Sequence, residues 1–242
     1  MNFIVMIPAR LSSNRFPNKP LAEIGGKPMI IRTIESAEKS GAKRIIVATD
    51  HKKINNLVKK NGTEVYITKK KYRSGTERLF EVIDQLKFED DQVIVNLQVD
   101  EPCIPGWIIK KVAKCLNDKN VDVSTLAIPI NKRLDILDPN SVKVITDTYG
   151  NALYFSRSMI PWCKNEKFSR SVFLKHIGIY AYRAKFIRLY MKYGPVDIEK
   201  LENLEQLRML FYGKKIYVLT RKIEKCISVN TQEDLLKANK FF

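Results

Sequence analysis

Four cations, Arg10, Arg15, Lys19 and Lys27, stand in the stretch "IPARLSSNRFPNKPLAEIGGKPM" (7–29), directly after the apolar run "FIVMI". Arginine offers a planar fork to phosphate oxygens and lysine a point charge. Pro8, Pro17 and Pro20 stiffen the same segment, and a rigid cationic loop suits a polyphosphate better than it suits solvent. The loop carries neither G-x-x-x-x-G-K-[ST] nor G-x-G-x-x-G, so its donors are side chains and backbone N–H groups rather than a glycine cradle. A second stretch, "RSGTERLFEVI" (73–83), sets Ser74, Gly75 and Thr76 at the start of a helix between Arg73 and Arg78. It reads either as an anion site at a helix N-terminus or as a plain Ser/Thr cap. A third, "NLQVDEPCIP" (96–105), puts Gln98, Asp100 and Glu101 beyond an apolar strand. A carboxylate there is costly unless it is paired or holds a cation. Magnesium on a phosphate ligand takes one or two such carboxylates. Capping of the next helix is an alternative for Glu101, less so for Asp100.

The elements that must position these groups follow from periodicity. Over the first ~130 residues, short apolar runs alternate with amphipathic segments. "FIVMI" precedes a helical pattern at 28–39, "RIIVAT" precedes "HKKINNLVKK", "EVYIT" precedes "TERLFEVIDQL", and "QVIVNLQ" precedes "PGWIIKKVAKCL". Runs of Val and Ile without polar alternation suit strands buried on both faces, as in a parallel sheet built from βαβ units. The fold class expected is α/β: an open, mostly parallel, Rossmann-type sheet flanked by helices. After Asn131 the pattern shifts to longer, partly alternating strands ("SVKVITD", "NALYFS", "SVFLKHIGIYAYR"), so a mixed or antiparallel subregion is expected at about 132–195, carrying a substrate lid or dimer surface. "ISVNTQEDLLKANK" reads as a strand end entering a helix, with Thr231 and Asp234 at capping spacing. No linker divides the chain, so residues 1–242 are taken as one domain. Polar clusters at 8–20, 49–50, 98–101 and 230–234 all fall at expected strand ends, where open parallel sheets bind ligands.

Composition narrows the class. A hydrophobic content of 45% with 29% charged residues is ordinary for a globular chain of 242 residues. The opening apolar run is too short for a signal peptide and no stretch approaches a membrane span, so a cytoplasmic protein without membrane insertion is expected. Cys103, Cys115, Cys163 and Cys226 form no C-x-x-C pair, and with only His51 and His176 available, buried free thiols are a better reading than a zinc site. The net charge of +17 invites nucleic acid, but the lysines are dispersed and no recognition motif accompanies them. The expectation is no nucleic-acid partner and a positive field that draws small anions.

"IPARLSSNRFPNKPL", "SGTER", "QVDEP", "NALYFSRSMIPW", "KHIGIYAYR" and "LENLEQLRMLFYGKKI" together resemble the 3-deoxy-manno-octulosonate (Kdo) cytidylyltransferase family, in its order and over nearly the whole chain. The resemblance implies CTP and an eight-carbon 2-keto sugar acid as substrates, CMP-sugar and pyrophosphate as products, Mg²⁺ as cofactor, a role in lipopolysaccharide synthesis, and a homodimer. It implies a nucleotide site at Pro8, Ala9, Arg10, Arg15, Lys19, Ser74, Gly75 and Arg78. It implies a sugar-acid site at Gln98, Arg157, His176, Tyr180, Glu205 and Gln206. Arg10, Lys19 and Asp100 are the implied catalytic set, with Asp100 and position 230 as metal ligands.

Outside the resemblance, His176 on an apolar strand reads as a core histidine and "LEQ" as a plain helix face. In-line attack of a sugar hydroxyl on the α-phosphorus asks mainly for positioning and charge neutralisation. Two positions depart from the family. Val99 stands where glycine is usual, which predicts a displaced backbone, because a β-branched residue resists positive φ. Asn230 stands where the family has a metal-binding aspartate, which predicts weaker Mg²⁺ binding. A transferase for a related sugar acid, such as an 8-amino analogue or a nonulosonic acid, and a non-catalytic nucleotide or RNA binder are the alternatives.

Overall fold

The computed structural model describes residues 1–11, 16–69, 72, 74–164, 172–224 and 226–242. Along the chain run β1 (Phe3–Ala9), β2 (Glu23–Ile24), β3 (Lys27–Pro28), α1 (Met29–Glu38), β4 (Arg44–Thr49), α2 (Lys52–Lys60), β5 (Glu64–Ile67), α3 (Gly75–Gln85), β6 (Val93–Leu97) and α4 (Gly106–Lys114). Then come β7 (Val123–Pro129), α5 (Arg133–Leu137), β8 (Lys143–Thr146), β9 (Ala152–Ser156), β10 (Leu174–Arg183), α6 (Ala184–Tyr190), α7 (Asp197–Glu202), α8 (Gln206–Phe211), β11 (Ile216–Thr220) and α9 (Gln232–Asn239).

Among the described residues, one sheet has the order β11-β7-β10-β6-β1-β4-β5, with β8 and β9 joined to it through β10. Strands β6, β1, β4 and β5 run parallel, whereas β10 is antiparallel to both β6 and β7. All seven residues of β1 are buried, as its unbroken apolar run requires. Alternate side chains serve opposite faces: Phe3, Val5 and Ile7 pack with Ile34 of α1, Ile54 of α2 and Ile108 of α4. Ile4 and Met6 pack with Leu79 and Val82 of α3 and Ile187 of α6.

The order β6-β1-β4-β5 sets a switch point between β1 and β6: the chain leaves β1 towards β4 and β5, then returns to its other side as β6. A crevice opens beyond the carboxyl ends at such a point. The loops that follow β1 and β6 are the cationic stretch and "QVDEP".

Three expectations change. The stretch at 227–229 is not a strand among the described residues. It is an extended segment tied by Val229 N donating to the Asp100 carbonyl (2.8 Å), because Val229 packs with Cys103, Ile24 and Leu235 instead of joining the sheet. Val99 shows no positive φ, so its branched side chain meets none of the strain of the left-handed region. Helix α4 is capped at Pro105, with Glu101 turned elsewhere. The 132–195 region is mixed, and its strand β10 lies inside the central sheet while β8 and β9 project from it.

Candidate active site

The cleft has two lobes that share Arg10, Ser74, Gly75 and Gln98. The first is lined further by Pro8, Lys19, Tyr72, Arg78 and Asp100. The second adds Arg157, Gly178, Tyr180, Glu205, Gln206 and Arg208. Gly75 lies where the lobes meet, and a Cβ there would stand 2.9 Å from Gln98 Nε2 and 3.0 Å from Pro8 Cγ, so a side chain would push the Gln98 amide aside.

In the first lobe, Arg10 is exposed and reaches both lobes. Arg15 lies outside the described residues. Ala9 is buried at the end of β1, its side chain in the core rather than on the cleft wall. Ser74 caps α3 by accepting from Glu77 N at 3.2 Å, while Ser74 and Gly75 also face the cavity. The cap and the cavity wall are therefore the same feature. Arg78 is buried, donating to Asp50 Oδ2 at 2.6 Å and to Thr68 Oγ1 at 2.5 Å. That fixes one edge of the lobe, and Tyr72, whose hydroxyl donates to Glu81 Oε2 at 2.9 Å, forms another.

Lys19 Nζ lies 2.6 Å from Asp100 Oδ2, 3.3 Å from the Val229 carbonyl and 3.5 Å from Asn230 Oδ1. Three oxygens thus converge on a cationic group. Among the described residues, no cluster of three or more His, Cys, Asp or Glu side chains is arranged to hold a metal ion. A donor set of one carboxylate and two neutral oxygens fits an oxygen-seeking cation that takes its remaining ligands from phosphate and water.

The second lobe is more open than the first and mixes polar with apolar lining. Glu205 is the N-cap of α8 and Gln206 its first residue, and among the described residues Glu205 Oε2 and Gln206 Nε2 are buried without a hydrogen-bond partner. Burial raises the Glu205 carboxyl above its ordinary pKa, opposed by hydrogen bonds from Ser74 and Thr76. Buried polar atoms with unspent hydrogen-bonding capacity beside a cavity are available to a polar ligand. Arg157 is steered by carbonyls: its guanidinium donates to Glu202 O (2.7 Å), Pro139 O (3.0 Å) and Asn203 O (3.3 Å). Gln98 Nε2 donates to Asn96 Oδ1 at 3.1 Å, and the amide lies against Gly75 with Nε2 nearer than Oε1.

His176 lines neither lobe. It stands behind Tyr180 (ring centroids 5.3 Å apart) and against Phe155 (5.1 Å), with Nε2 3.0 Å from Thr125 Oγ1. Burial of the ring pushes its pKa down to about 3, so the imidazole is neutral. Sequence reasoning did not single out Tyr72, Gly178 or Arg208. Arg208 had a signal: it lies three residues past Glu205, one helical turn on, and pairs with Glu199 at 2.6 Å.

A parallel-sheet switch point with a cationic lobe, one metal-competent carboxylate and an adjoining mixed lobe defines a nucleotidyltransferase site. The cytidylyltransferase family profile matches residues 4–216. The chain is 58% identical to the 3-deoxy-manno-octulosonate cytidylyltransferase of Wigglesworthia glossinidia brevipalpis, over 100% of both chains. It is 50% identical to that of Yersinia enterocolitica, over 97% of this chain and 96% of the other. A solved CMP:2-keto-3-deoxy-manno-octonic acid synthetase in complex with CTP superposes with a TM-score of 0.89 at 36% identity, covering 100% of this chain and 98% of that one. A Leptospira borgpetersenii cytidylyltransferase shares the fold alone (TM-score 0.63, 15% identity, 100% and 88% covered). The chain belongs to the cytidylyltransferase family, among its 3-deoxy-manno-octulosonate cytidylyltransferases.

Proposed function

We propose that this chain transfers CMP from CTP to the anomeric hydroxyl of 3-deoxy-D-manno-octulosonate, releasing pyrophosphate. The observation that carries it is the joined cleft: four residues, Arg10, Ser74, Gly75 and Gln98, wall both a cationic and a hydroxyl-seeking lobe. A nucleotide triphosphate in the first lobe and a sugar acid in the second would meet at that shared wall. The sugar oxygen then attacks the α-phosphorus in line and the bond to the β-phosphate oxygen breaks. Arg10 and Lys19 hold the departing charge, and Lys19 exchanges its contact with Asp100 for phosphate oxygens as CTP enters. Arg157 faces the sugar carboxylate, and Glu205, Gln206 and Tyr180 face hydroxyls. His176 acts from behind by fixing the Tyr180 ring.

Mg²⁺ is proposed as cofactor, held by Asp100 with the Asn230 amide oxygen, where it would neutralise phosphate charge. A homodimer is proposed on the resemblance. Most of 174–183 is consumed in the protein's own sheet, so the exposed side chains of Leu153, Trp162 and Phe211 are better surface for a partner. A cytoplasmic role in lipopolysaccharide synthesis fits these substrates, and no helix among the described residues is long and apolar enough to cross a membrane.

A coupled pyrophosphate assay with CTP, Mg²⁺ and a panel of sugar acids tests the reading. Release is expected with 3-deoxy-D-manno-octulosonate. Release only with an 8-amino or nine-carbon acid, or CTP binding without release, overturns it.

A further inference from the structure

Glu101 is 4% exposed, and no cation pairs with it among the described residues. A buried carboxyl without a counter-ion is expensive unless its oxygens are occupied. They are. Ser228 Oγ lies 2.8 and 2.9 Å from the two oxygens, and Gly178 N donates to Oε1 at 3.1 Å.

These contacts join three segments remote in sequence. Glu101 itself belongs to the loop after β6, next to Asp100 and three residues past Gln98. Gly178 lies in the register shift of β10, between Ile177 and Tyr180. Ser228 begins the extended segment that ends in Asn230. Two backbone bonds close the same knot: Val229 N to Asp100 O at 2.8 Å, and Gln98 N to Gly178 O at 3.2 Å. The fit is tight, because a Cβ at Gly178 would stand 3.3 Å from both Gln98 Cγ and Glu101 Oε1. One carboxyl therefore sets the spacing between the Asp100–Asn230 oxygens and the Gln98–Tyr180 wall.

We propose that Glu101 is a positioning residue for the transfer, whose buried carboxyl ties the segment 228–230 and the Gly178 bulge to the loop bearing Asp100. The proposal rests on the cytidylyltransferase reading for its metal. Its test reads CTP binding by calorimetry with and without Mg²⁺, so it does not depend on identifying the sugar acid.

In wild type, Mg²⁺ should tighten CTP binding. In Glu101→Ala the metal-free CTP affinity should stay within about twofold while the Mg²⁺ enhancement drops by roughly 10–100-fold, the range for loss of a group that orients a metal ligand. Glu101→Gln keeps an acceptor for Gly178 N and a donor for Ser228 Oγ, so it should restore most of the enhancement. Should Glu101→Ala fail to fold, Ser228→Ala decides, with a smaller loss of the same enhancement. Four results overturn the proposal: equal loss with and without metal, a glutamine variant as impaired as the alanine one, no effect of Ser228→Ala, or no Mg²⁺ enhancement in wild type. Absence of pyrophosphate release with an intact enhancement would count against the proposed reaction instead.

Discussion

Lys19 occupies the point on which the Asp100, Val229 and Asn230 oxygens converge, so its ammonium competes with any metal for them. With asparagine at 230 the competition is fought with one negative charge. Asn230→Asp should lower the Mg²⁺ concentration for half-maximal activity several-fold, read from metal titrations of both proteins; superimposed curves would contradict this. His176 makes a second prediction. Its folded pKa of about 3 lies below the ordinary value of 6.5, so the unfolded chain takes up a proton that the folded chain refuses. The stability it contributes is complete above pH ~6.5 and is lost as pH falls towards its folded pKa. Urea midpoints measured from pH 7 to pH 4 should fall more steeply for wild type than for His176→Gln. At this scale the cleft-lining cations Arg10 and Lys19 were legible because charge in a proline-stiffened loop has few other uses. His176 was legible as a core histidine from its apolar strand, and it was the resemblance that set it in the sugar-acid pocket; nothing in the strand marks which neighbour it serves.

Helix α4 reaches the site through its packing on α1. A Cβ on Gly106 would fall inside the Lys39 carbonyl, and Ser36 Oγ donates to the Ile104 carbonyl just ahead of α4. Gly106→Ala should therefore destabilise the fold by about 1–3 kcal/mol, the usual cost of overpacking, and disturb the 98–105 loop. Urea unfolding together with CTP affinity checks it, and an unchanged midpoint would contradict it. Most of the strands and helices from β1 to α4 follow apolar runs that a reader can mark. Three later elements escaped, the short helix α5 among them. β7, "VSTLAIP", mixes Ser and Thr into a buried strand, where Ser124 Oγ is satisfied by the Val112 carbonyl at 2.7 Å. α7 has no buried residue, so it offers no hydrophobic period to detect. The reverse error at 227–229 came from an apolar pattern that packs on α9 instead of pairing with a strand.

For the whole molecule, the α/β class and the cleft beyond the ends of β1 and β6 could be reasoned from the order of apolar runs, whereas β10 crossing antiparallel between β6 and β7 could not. That pairing joins residues such as Tyr180 and Asn96, more than eighty positions apart, and no local pattern encodes it. It brings Tyr180 and Gly178 beside Gln98, and so joins the two lobes. The net charge of +17 draws a polyanion towards the molecule from any side. Capture at the switch point is a narrower claim, and it depends on two side chains. Calorimetric CTP affinity of wild type against the Arg10→Ala/Lys19→Ala double variant, with Mg²⁺ present, measures it. Two charge-assisted contacts predict a loss on the order of 10²-fold or more; an affinity within about twofold of wild type would place the triphosphate elsewhere and contradict the account.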